Sequence, residues 1–288
     1  MRGFPKVSAI VTLGGGFTPG VFWCIIAATM AKPATANAAR FYRLGVFARM
    51  LVASAAFVGN RRVSSRVLVM QIYFTFVQAL GLATMLALGI GAAVSLLGLN
   101  FLQNISQQHL IYQLLVIVVT RELGPLLVAF IVTARSATAI ATEVAGMVIS
   151  HEVEAYVSVG IDPIEHLAVP RFLGVTISLL LMNVYFSVFG LAGSFVIVQT
   201  LHPLPISAAY YFGSLVQSLS VADLAIVAMK SVAFGMIIST VAITEGLGVE
   251  RASTEVPVAG LRAVTKSFAG CIAANILLSA IYYVYMLA

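Results

Sequence analysis

Three charged side chains, Arg121, Glu122 and Lys230, lie inside stretches of sequence that are otherwise apolar. Twelve residues separate Glu122 from Arg135 and fourteen separate Lys230 from Glu245, whereas a helix needs roughly 20 residues to cross a bilayer. An uncompensated charge at the bilayer centre costs about 2.5–3.5 kcal/mol on insertion scales, so a partner of opposite charge is expected. We therefore predict an intramembrane ion pair between Glu122 and Lys230.

Pro125 stands beside these charges and favours a kink. A proline has no N–H to donate to the carbonyl of Arg121, four residues earlier. A kink next to buried charge would form one wall of a polar cavity. The alternative interpretation is a static structural ion pair, or charges that reach the membrane interface by snorkelling.

A second set of candidate residues follows in the acidic segment ISHEVEAYVSVGIDPIEH, at 149–166. Apolar and acidic residues alternate at helical spacing, Gly160 marks a stop, and Asp162 followed by Pro163 is typical of the start of the next helix. A partly apolar acidic helix is a poor ligand for anionic lipid, so we expect a protein to contact it. A solvated loop is the alternative.

The elements that must position these residues are membrane helices. The chain is 61% hydrophobic and 9% charged with a mean hydropathy of +1.05, and long charge-free runs are typical of helices that span a bilayer, not of alternating barrel strands. We predict an all-α polytopic membrane protein with five spans, near residues 68–98, 111–136, 172–198, 224–246 and 265–287. Ser, Ala, Thr and Gly crowd the segment ARSATAIATEVAGM (134–147), which favours close packing within the chain or against a second subunit.

The distribution of Lys and Arg predicts the orientation. Residues 1–66 contain nine of these residues and no Asp or Glu, which favours a cytoplasmic N-terminus and, with five spans, a C-terminus outside. The joining segments 99–109 and 199–220, which would lie outside, contain neither Lys nor Arg.

The first 66 residues divide into two parts. Residues 1–37 resemble a secretory signal, but cleavage there would conflict with the charge rule. A loosely structured extension at 1–39 is the favoured interpretation, with an additional apolar extension or an unused upstream start codon as alternatives. In residues 40–66, Arg40, Arg43 and Arg49 interleave with apolar residues, as in a helix lying in the headgroup plane. A soluble basic arm is the alternative.

Several chemistries lack support in the sequence. Cys24 and Cys271 lie in separate apolar segments and the four His are scattered, so no metal site and no catalytic residue is predicted. The segment LGGGFTPG lacks the Lys-Ser/Thr of a phosphate-binding loop, so any ATP would be used by another subunit. No nucleic-acid partner is expected.

The segments RELGPLLVAFIVTARSATAIATEVAGM and EVEAYVSVGIDPIEHLAVPRFLG resemble the MlaE/YrbE-type permeases of MCE-associated ABC transporters. The similarity extends from about Arg40 to the C-terminus, includes DLAIVAMKSVAFGMIIS (223–239), and leaves residues 1–39 unmatched. One departure is that Ser150-His151-Glu152 stands where the family often has Thr-Glu-Gln, and Glu154 replaces the Asp of its motif.

The resemblance implies a homodimeric permease domain at 40–288 that moves phospholipid or another hydrophobic lipid between the membrane and an MCE-domain partner. A separate cytoplasmic ATPase would use ATP and Mg, and the chain itself would bind no cofactor. Residues 146–162 would contain the coupling helix that meets the ATPase, with His151, Glu152, Glu154, Tyr156, Gly160, Asp162 and Pro163 at the contact. Arg121, Glu122 and Lys230 would lie near the lipid path, and Leu82, Met85, Leu86 and Ile90 are candidates for lining a lipid cavity. The implied location is the bacterial inner membrane, with a plastid envelope as the less favoured alternative.

Two other functional classes are compatible with the residues. An ion- or proton-coupled secondary transporter would use Glu122, Lys230 and Glu143 as a relay and would need no ATPase. A membrane-embedded lipid enzyme would need a base at the interface, for which His109 and His202 are the only candidates in the outer segments.

Overall fold

A computed structural model of the 288-residue chain describes residues 45–48, 50, 52, 65–104, 110–201, 207–250 and 252–287. Every regular element in these ranges is helical. The predicted extension at 1–39 lies outside the described residues, as do Cys24, Arg40, Arg43, Arg49, His109 and His202. The predicted interfacial helix is described only in part.

Five helices are long and apolar enough to cross a membrane: Val67–Phe101, Ile111–Ile149, Ile164–Thr200, Val221–Leu247 and Glu255–Tyr285. They confirm the number and order of the predicted spans. The second was predicted to end near residue 136, but it continues as a helix to Ile149. The fifth begins ten residues before its predicted start. The second span continues through a stretch in which Ala, Thr and Gly lower the hydropathy, and the fifth begins in a stretch that contains Glu255, Pro257 and Arg262; neither composition interrupts the helix.

The spans are built from helices of different winding, with the α-helices numbered here in chain order. The first contains α1 (Ser65–Phe76), a short 3-10 turn and α2 (Leu80–Asn104). The second contains α3 (Ile111–Leu115), α4 (Gly124–Val132) and α5 (Thr138–Ile149), which are separated by π-helical segments at Val116–Leu123 and Thr133–Ala137. The helices that follow are α6 (Glu152–Ser158), α7 (Val169–Leu201), α8 (Ala208–Ser218), α9 (Val221–Leu247) and α10 (Glu255–Leu287); a π-helical turn at Ile164–Ala168 precedes α7.

The third and fourth spans form the centre of the bundle. Helix α7 packs against α1, α2 and α9, and α9 packs in addition against α5 and α10. The approach of α2 to α7 is close: a Cβ added at Gly91 would lie 2.1 Å from the carbonyl oxygen of Gly190. Small residues thus allow the backbones of two spans to touch, as is common in lipid.

The segment that precedes the first span packs on the protein. Residues 45–48 are helical, the side chains of Val46 and Met50 are fully buried, and the ring of Phe47 lies 6.4 Å from that of Phe172 on α7. Its apolar face therefore rests on the third span.

Helix α8 was not predicted, because residues 199–220 were interpreted as a joining segment. Ser207 caps its first turn by accepting a hydrogen bond from the N–H of Tyr210. Tyr211 anchors the helix through a 2.6 Å hydrogen bond with Ser194 and ring contacts to Tyr112 and Phe195. Burial raises the pKa of the Tyr211 hydroxyl to about 12, so the anchoring group is a neutral hydroxyl.

Candidate functional site

Lys230 is the most deeply buried charge of the described residues, with a side chain that is 0% exposed. Its Nζ donates to Glu122 Oε2 at 2.8 Å, which confirms the predicted ion pair. The same carboxylate oxygen accepts a 2.9 Å hydrogen bond from Ser279 on the fifth span. The pair therefore joins the second, fourth and fifth spans.

Pro125 gives this pair a second hydrogen bond. In a regular helix the N–H of residue 125 would donate to the carbonyl of Arg121, and a proline has none to give. Lys230 Nζ donates to that carbonyl instead, at 3.0 Å. A π-helical segment ends at Leu123, two residues before the proline, and the kink itself stays a prediction.

Arg121 has a separate set of partners. Its Nη1 donates to Asp223 Oδ1 at 3.1 Å and its Nη2 to the hydroxyl of Tyr283 at 2.7 Å, while its Nε lies 3.6 Å from Glu122 Oε1. The guanidinium carbon also stands 4.9 Å and 5.0 Å from the ring centroids of Tyr282 and Tyr283. Two cations and two carboxylates thus form one electrically compensated group, called here the charge cluster: Arg121, Glu122, Asp223 and Lys230.

Asp223 was not predicted as part of the site. Its Oδ2 accepts from the backbone N–H and hydroxyl of Ser220, completing a capping box at the start of α9. Its Oδ1 accepts from Arg121 and, at 2.9 Å, from the hydroxyl of Tyr282. The Ser-x-x-Asp pattern at 220–223 is a signal for the cap, but nothing local indicates the partners from the second and fifth spans.

The predicted coupling segment contains the helix α6, which is shorter than the predicted range 146–162. Val153 is its buried anchor, whereas Glu152 and Glu154 are exposed in its first turn. His151 precedes the helix in a left-handed conformation (φ 61°), and its Nδ1 lies 2.9 Å from Glu154 Oε2. The ring of Tyr156 stands 5.3 Å from the ring of His166.

The end of this segment has the predicted conformation. Gly160 ends the turn with φ +83°, a backbone conformation that is unfavourable for residues with a Cβ. Asp162 Oδ1 accepts a 2.9 Å hydrogen bond from the N–H of Ile164, and Pro163 occupies the first helical position, so the predicted cap is confirmed. Contact of these residues with an ATPase stays a prediction.

The charge cluster and α6 lie in opposite halves of the bundle. Asp223 begins the fourth span and Tyr282 stands near the end of the fifth, whereas α6 follows the end of the second. Between the second and third spans, near α6, Arg171 Nη2 donates to Glu143 Oε1 at 2.7 Å. Glu143 therefore pairs away from Glu122 and Lys230, with which it was grouped in the relay hypothesis.

The four candidate cavity residues divide into two pairs. Leu82 and Met85 are exposed on the outer surface of the first span, at 53% and 75%. Leu86 and Ile90 are half-buried and pack against the core. A partly open cavity of about 190 Å³ lies nearby between the first and second spans, but it is lined by other residues: Gln71, Phe74, Thr75, Gln78, Arg135, Ser136, Ala139, Ile140 and Glu143. The lipid-lining role of the first four stays a prediction.

Together, these elements define a multi-pass helical membrane protein that holds a compensated charge cluster between three spans. The sequence matches the Permease MlaE family over residues 68–281, and the chain belongs to this family. The similarity inferred from the RELGP and coupling segments is thereby confirmed.

Relatives extend this assignment to ABC transporter permeases. A probable ABC transporter permease protein of Rickettsia typhi is 29% identical over 191 residues, which cover 64% of this chain and 73% of the relative. The intermembrane phospholipid transport system permease protein MlaE of Haemophilus influenzae is 28% identical over 126 residues, 44% of this chain and 48% of the relative. The chloroplastic protein TRIGALACTOSYLDIACYLGLYCEROL 1 of Arabidopsis thaliana is 23% identical over 206 residues, 72% of this chain and 58% of the relative.

Proposed function

We propose that this chain is the membrane-spanning subunit of an ABC transporter that moves phospholipid or another hydrophobic lipid between its membrane and an MCE-domain partner. The family match and the phospholipid transport named for the Haemophilus relative support the substrate class. A separate cytoplasmic ATPase uses ATP and Mg, and this chain binds no cofactor. The host membrane is a bacterial inner membrane, with the plastid envelope as the alternative, since the Arabidopsis relative is a chloroplastic protein.

The position of α6 is the observation that carries the proposal. Two residues, Ser150 and His151, join it to the end of the second span, and the turn at Gly160 leads directly into the third. Only Val153 is buried, so the acidic first turn faces outward where a protein can reach it. A displacement of α6 is therefore passed to two spans at once.

Transport follows if the spans adopt one arrangement when the partner ATPase has bound ATP and another after ATP hydrolysis. A ligand moves only when it interacts differently with the two states of the protein. In this proposal ATP binding and hydrolysis in the partner shift α6, and the second span transmits the shift to the half of the bundle that contains the charge cluster. The cluster is compensated within one chain, so it can stay in the membrane without a bound ion.

A second copy of the chain completes the transporter. The fifth span is the least buried of the five, and it exposes Ile276, Leu277 and Ile281. This apolar face supports contact with a second copy or with lipid. The lipid path in this proposal runs between two copies.

Charge reversal on α6 tests the coupling. The Glu152→Lys/Glu154→Lys variant is expected to lose co-purification with the ATPase in mild detergent, because its first turn then repels the basic groups that an acidic helix would meet. Insertion and the oligomeric state should not change. Glu165→Lys reverses another exposed carboxylate, in the first turn of the third span, and is the matched control, expected to retain the ATPase.

Two results would count against the proposal. One is undiminished ATPase association by the double variant. The other is that the wild-type chain, reconstituted with the ATPase and an MCE-domain protein, moves no fluorescent phospholipid when ATP is added.

A further inference from the structure

Arg135 differs from every other cation whose side chain the structure describes. The other five each lie within 4 Å of a carboxylate: Arg121, Arg171, Lys230, Arg262 and Lys266. All ten Asp and Glu of the chain fall within the described ranges, and none of them forms such a pair with Arg135. Its guanidinium donates instead to the carbonyl and the side-chain oxygen of Gln78 on the first span.

The depth of Arg135 makes the missing counter-charge costly. It lies five residues from residue 130, the middle of the span Ile111–Ile149, which is about 8 Å along a helix axis. Half the hydrocarbon thickness is about 15 Å. With the bilayer centred on the span, an exposed guanidinium at this depth requires an anion that the chain does not provide.

Arg135 lines a cavity between the first and second spans that could hold this anion. Residues 135, 139 and 143 are exposed at a spacing of four on the second span, so they share one face. Opposite them, Gln71, Thr75 and Gln78 stand on the first span, and the two faces enclose the cavity of about 190 Å³. Phe74, which is 47% exposed, forms part of its rim beside the apolar outer surface.

The cavity is oriented along one leaflet. Gln78 is six residues from the middle of the first span and Gln71 is thirteen, which is about 9 Å and 20 Å from the bilayer centre. Amide side chains thus follow the depth range from the upper acyl chains to the headgroups of the leaflet on the α6 side. Glu143 lies at the headgroup end, already paired with Arg171.

We propose that this cavity binds the phosphate group of a phospholipid from the leaflet on the α6 side, with Arg135 as the charged ligand and Gln71, Thr75 and Gln78 as polar neighbours. The inference rests on the proposed lipid transport and adds a point of lateral entry, separate from the charge cluster in the other half of the bundle. A guanidinium presents paired N–H donors that match a phosphate.

The test measures binding of phosphatidylglycerol to the purified, detergent-solubilised chain by native mass spectrometry, without ATPase or ATP. Arg135→Gln is expected to weaken binding at least tenfold, and Arg135→Lys to weaken it less, because it keeps the charge but not the paired donors. Arg262→Gln removes an equal charge from a side chain that is 44% exposed elsewhere, and it should bind like the wild type.

A second variant leaves the charge in place. Ala139→Leu fills the cavity beside Arg135, and it is also expected to lower binding, so the test does not depend on whether Arg135→Gln folds. Millimolar inorganic phosphate should compete poorly with the lipid; equal competition by phosphate would overturn the lipid assignment in favour of a small-anion site.

The proposal is also overturned if Arg135→Gln and Ala139→Leu both retain wild-type lipid binding. Cross-linking of Ala139→Cys to a second copy in lipid nanodiscs would place a partner subunit in the cavity and overturn it as well. Because no ATP is present, these results are independent of whether the chain supports ATP-driven transport.

Discussion

At the scale of single residues, the buried ammonium of Lys230 depends on one carboxylate and one carbonyl. Glu122 supplies the charge, and the carbonyl of Arg121 is available because Pro125 does not use it. Breaking a buried pair by removing one partner leaves a buried charge uncompensated, which costs about 3–5 kcal/mol, whereas removing both charges costs much less. The cluster can therefore be examined by a double-mutant cycle.

Lys230→Met is expected to lower the free energy of unfolding by up to about 3 kcal/mol, the lower end of the cost of breaking a buried pair, because Glu122 loses the cation 2.8 Å away and keeps only Arg121 at 3.6 Å. The double variant Lys230→Met/Glu122→Gln should lose less than the sum of the two single changes. Unfolding in detergent micelles, followed by loss of helical signal, measures both quantities.

Lys266→Met is the matched control for this change. Lys266 is paired with Glu245 at 2.8 Å, but Lys266 is itself 39% exposed and Arg262 lies 3.8 Å from the same carboxylate, so its replacement is expected to cost less than that of the fully buried Lys230. Equal destabilisation by the two Lys→Met variants would contradict the role assigned to burial. Strict additivity in the cycle would show that Glu122 and Lys230 do not interact.

The sequence was sufficient to predict one half of the cluster. Glu122 and Lys230 are opposite charges in separate apolar spans. Because an unpaired charge in the membrane is costly, this alone predicts that the two residues form a pair. The partners of Arg121 could not be predicted in this way. Asp223 lies at the edge of an apolar run, where a charged residue is common. Tyr282 and Tyr283 follow Arg121 by about 160 residues, so only tertiary packing brings these partners to Arg121.

At the scale of elements, contact between the first and third spans depends on small residues. Gly91 on α2 meets the backbone of Gly190 on α7, where an added Cβ would lie 2.1 Å from a carbonyl oxygen. No rotamer change can relieve a clash between a Cβ and a backbone atom. The two helices must separate if Gly91 becomes larger.

Gly91→Ala is therefore expected to destabilise the bundle by about 1–3 kcal/mol, the usual cost of overpacking. Gly89→Ala is the matched control, because a Cβ at Gly89 meets nothing within 4 Å, and the same replacement should there be neutral or slightly stabilising. Melting temperatures in one detergent compare the two. A lower melting temperature for Gly89→Ala than for Gly91→Ala would refute the close contact.

Elements were predictable to the extent that hydropathy defines them. The five spans follow from apolar runs, but α8 does not, because its 11 residues are too few for a span and are held by Tyr211 through contacts that no local pattern reveals. The continuation of the second span to Ile149 was missed for another reason. Ala, Thr and Gly lower its hydropathy, yet α5 packs against α9 and α10 and stays helical.

At the scale of the whole molecule, α6 and α8 lie on opposite sides of the membrane, because a single span separates them along the chain. Helix α6 follows the second span and α8 follows the third. The basic first 66 residues predict that α6 is cytoplasmic, as coupling to a cytoplasmic ATPase requires. The assignment can be tested in intact cells.

Single cysteines at Ser158 and Gln217, in a chain with Cys24 and Cys271 replaced by Ser, should react differently with a membrane-impermeant maleimide. Gln217→Cys on α8 is expected to be labelled in spheroplasts, and Ser158→Cys on α6 only after the membrane is opened. Both side chains are exposed, so accessibility of the thiol does not limit either reaction. The reverse pattern would place α6 outside and exclude contact with a cytoplasmic ATPase.

The two π-helical segments of the second span have a mechanical consequence. A π-helical turn holds one residue more than an α-helical turn needs, and these segments enclose α4 and contain Arg121 and Arg135 respectively. If the surplus residue moved from one π-helical segment to the other, α4 between them would rotate about its axis by about 100°, the angle of one α-helical residue. The second span therefore carries, at both positions, the spare length needed to rotate α4 while its two ends remain anchored.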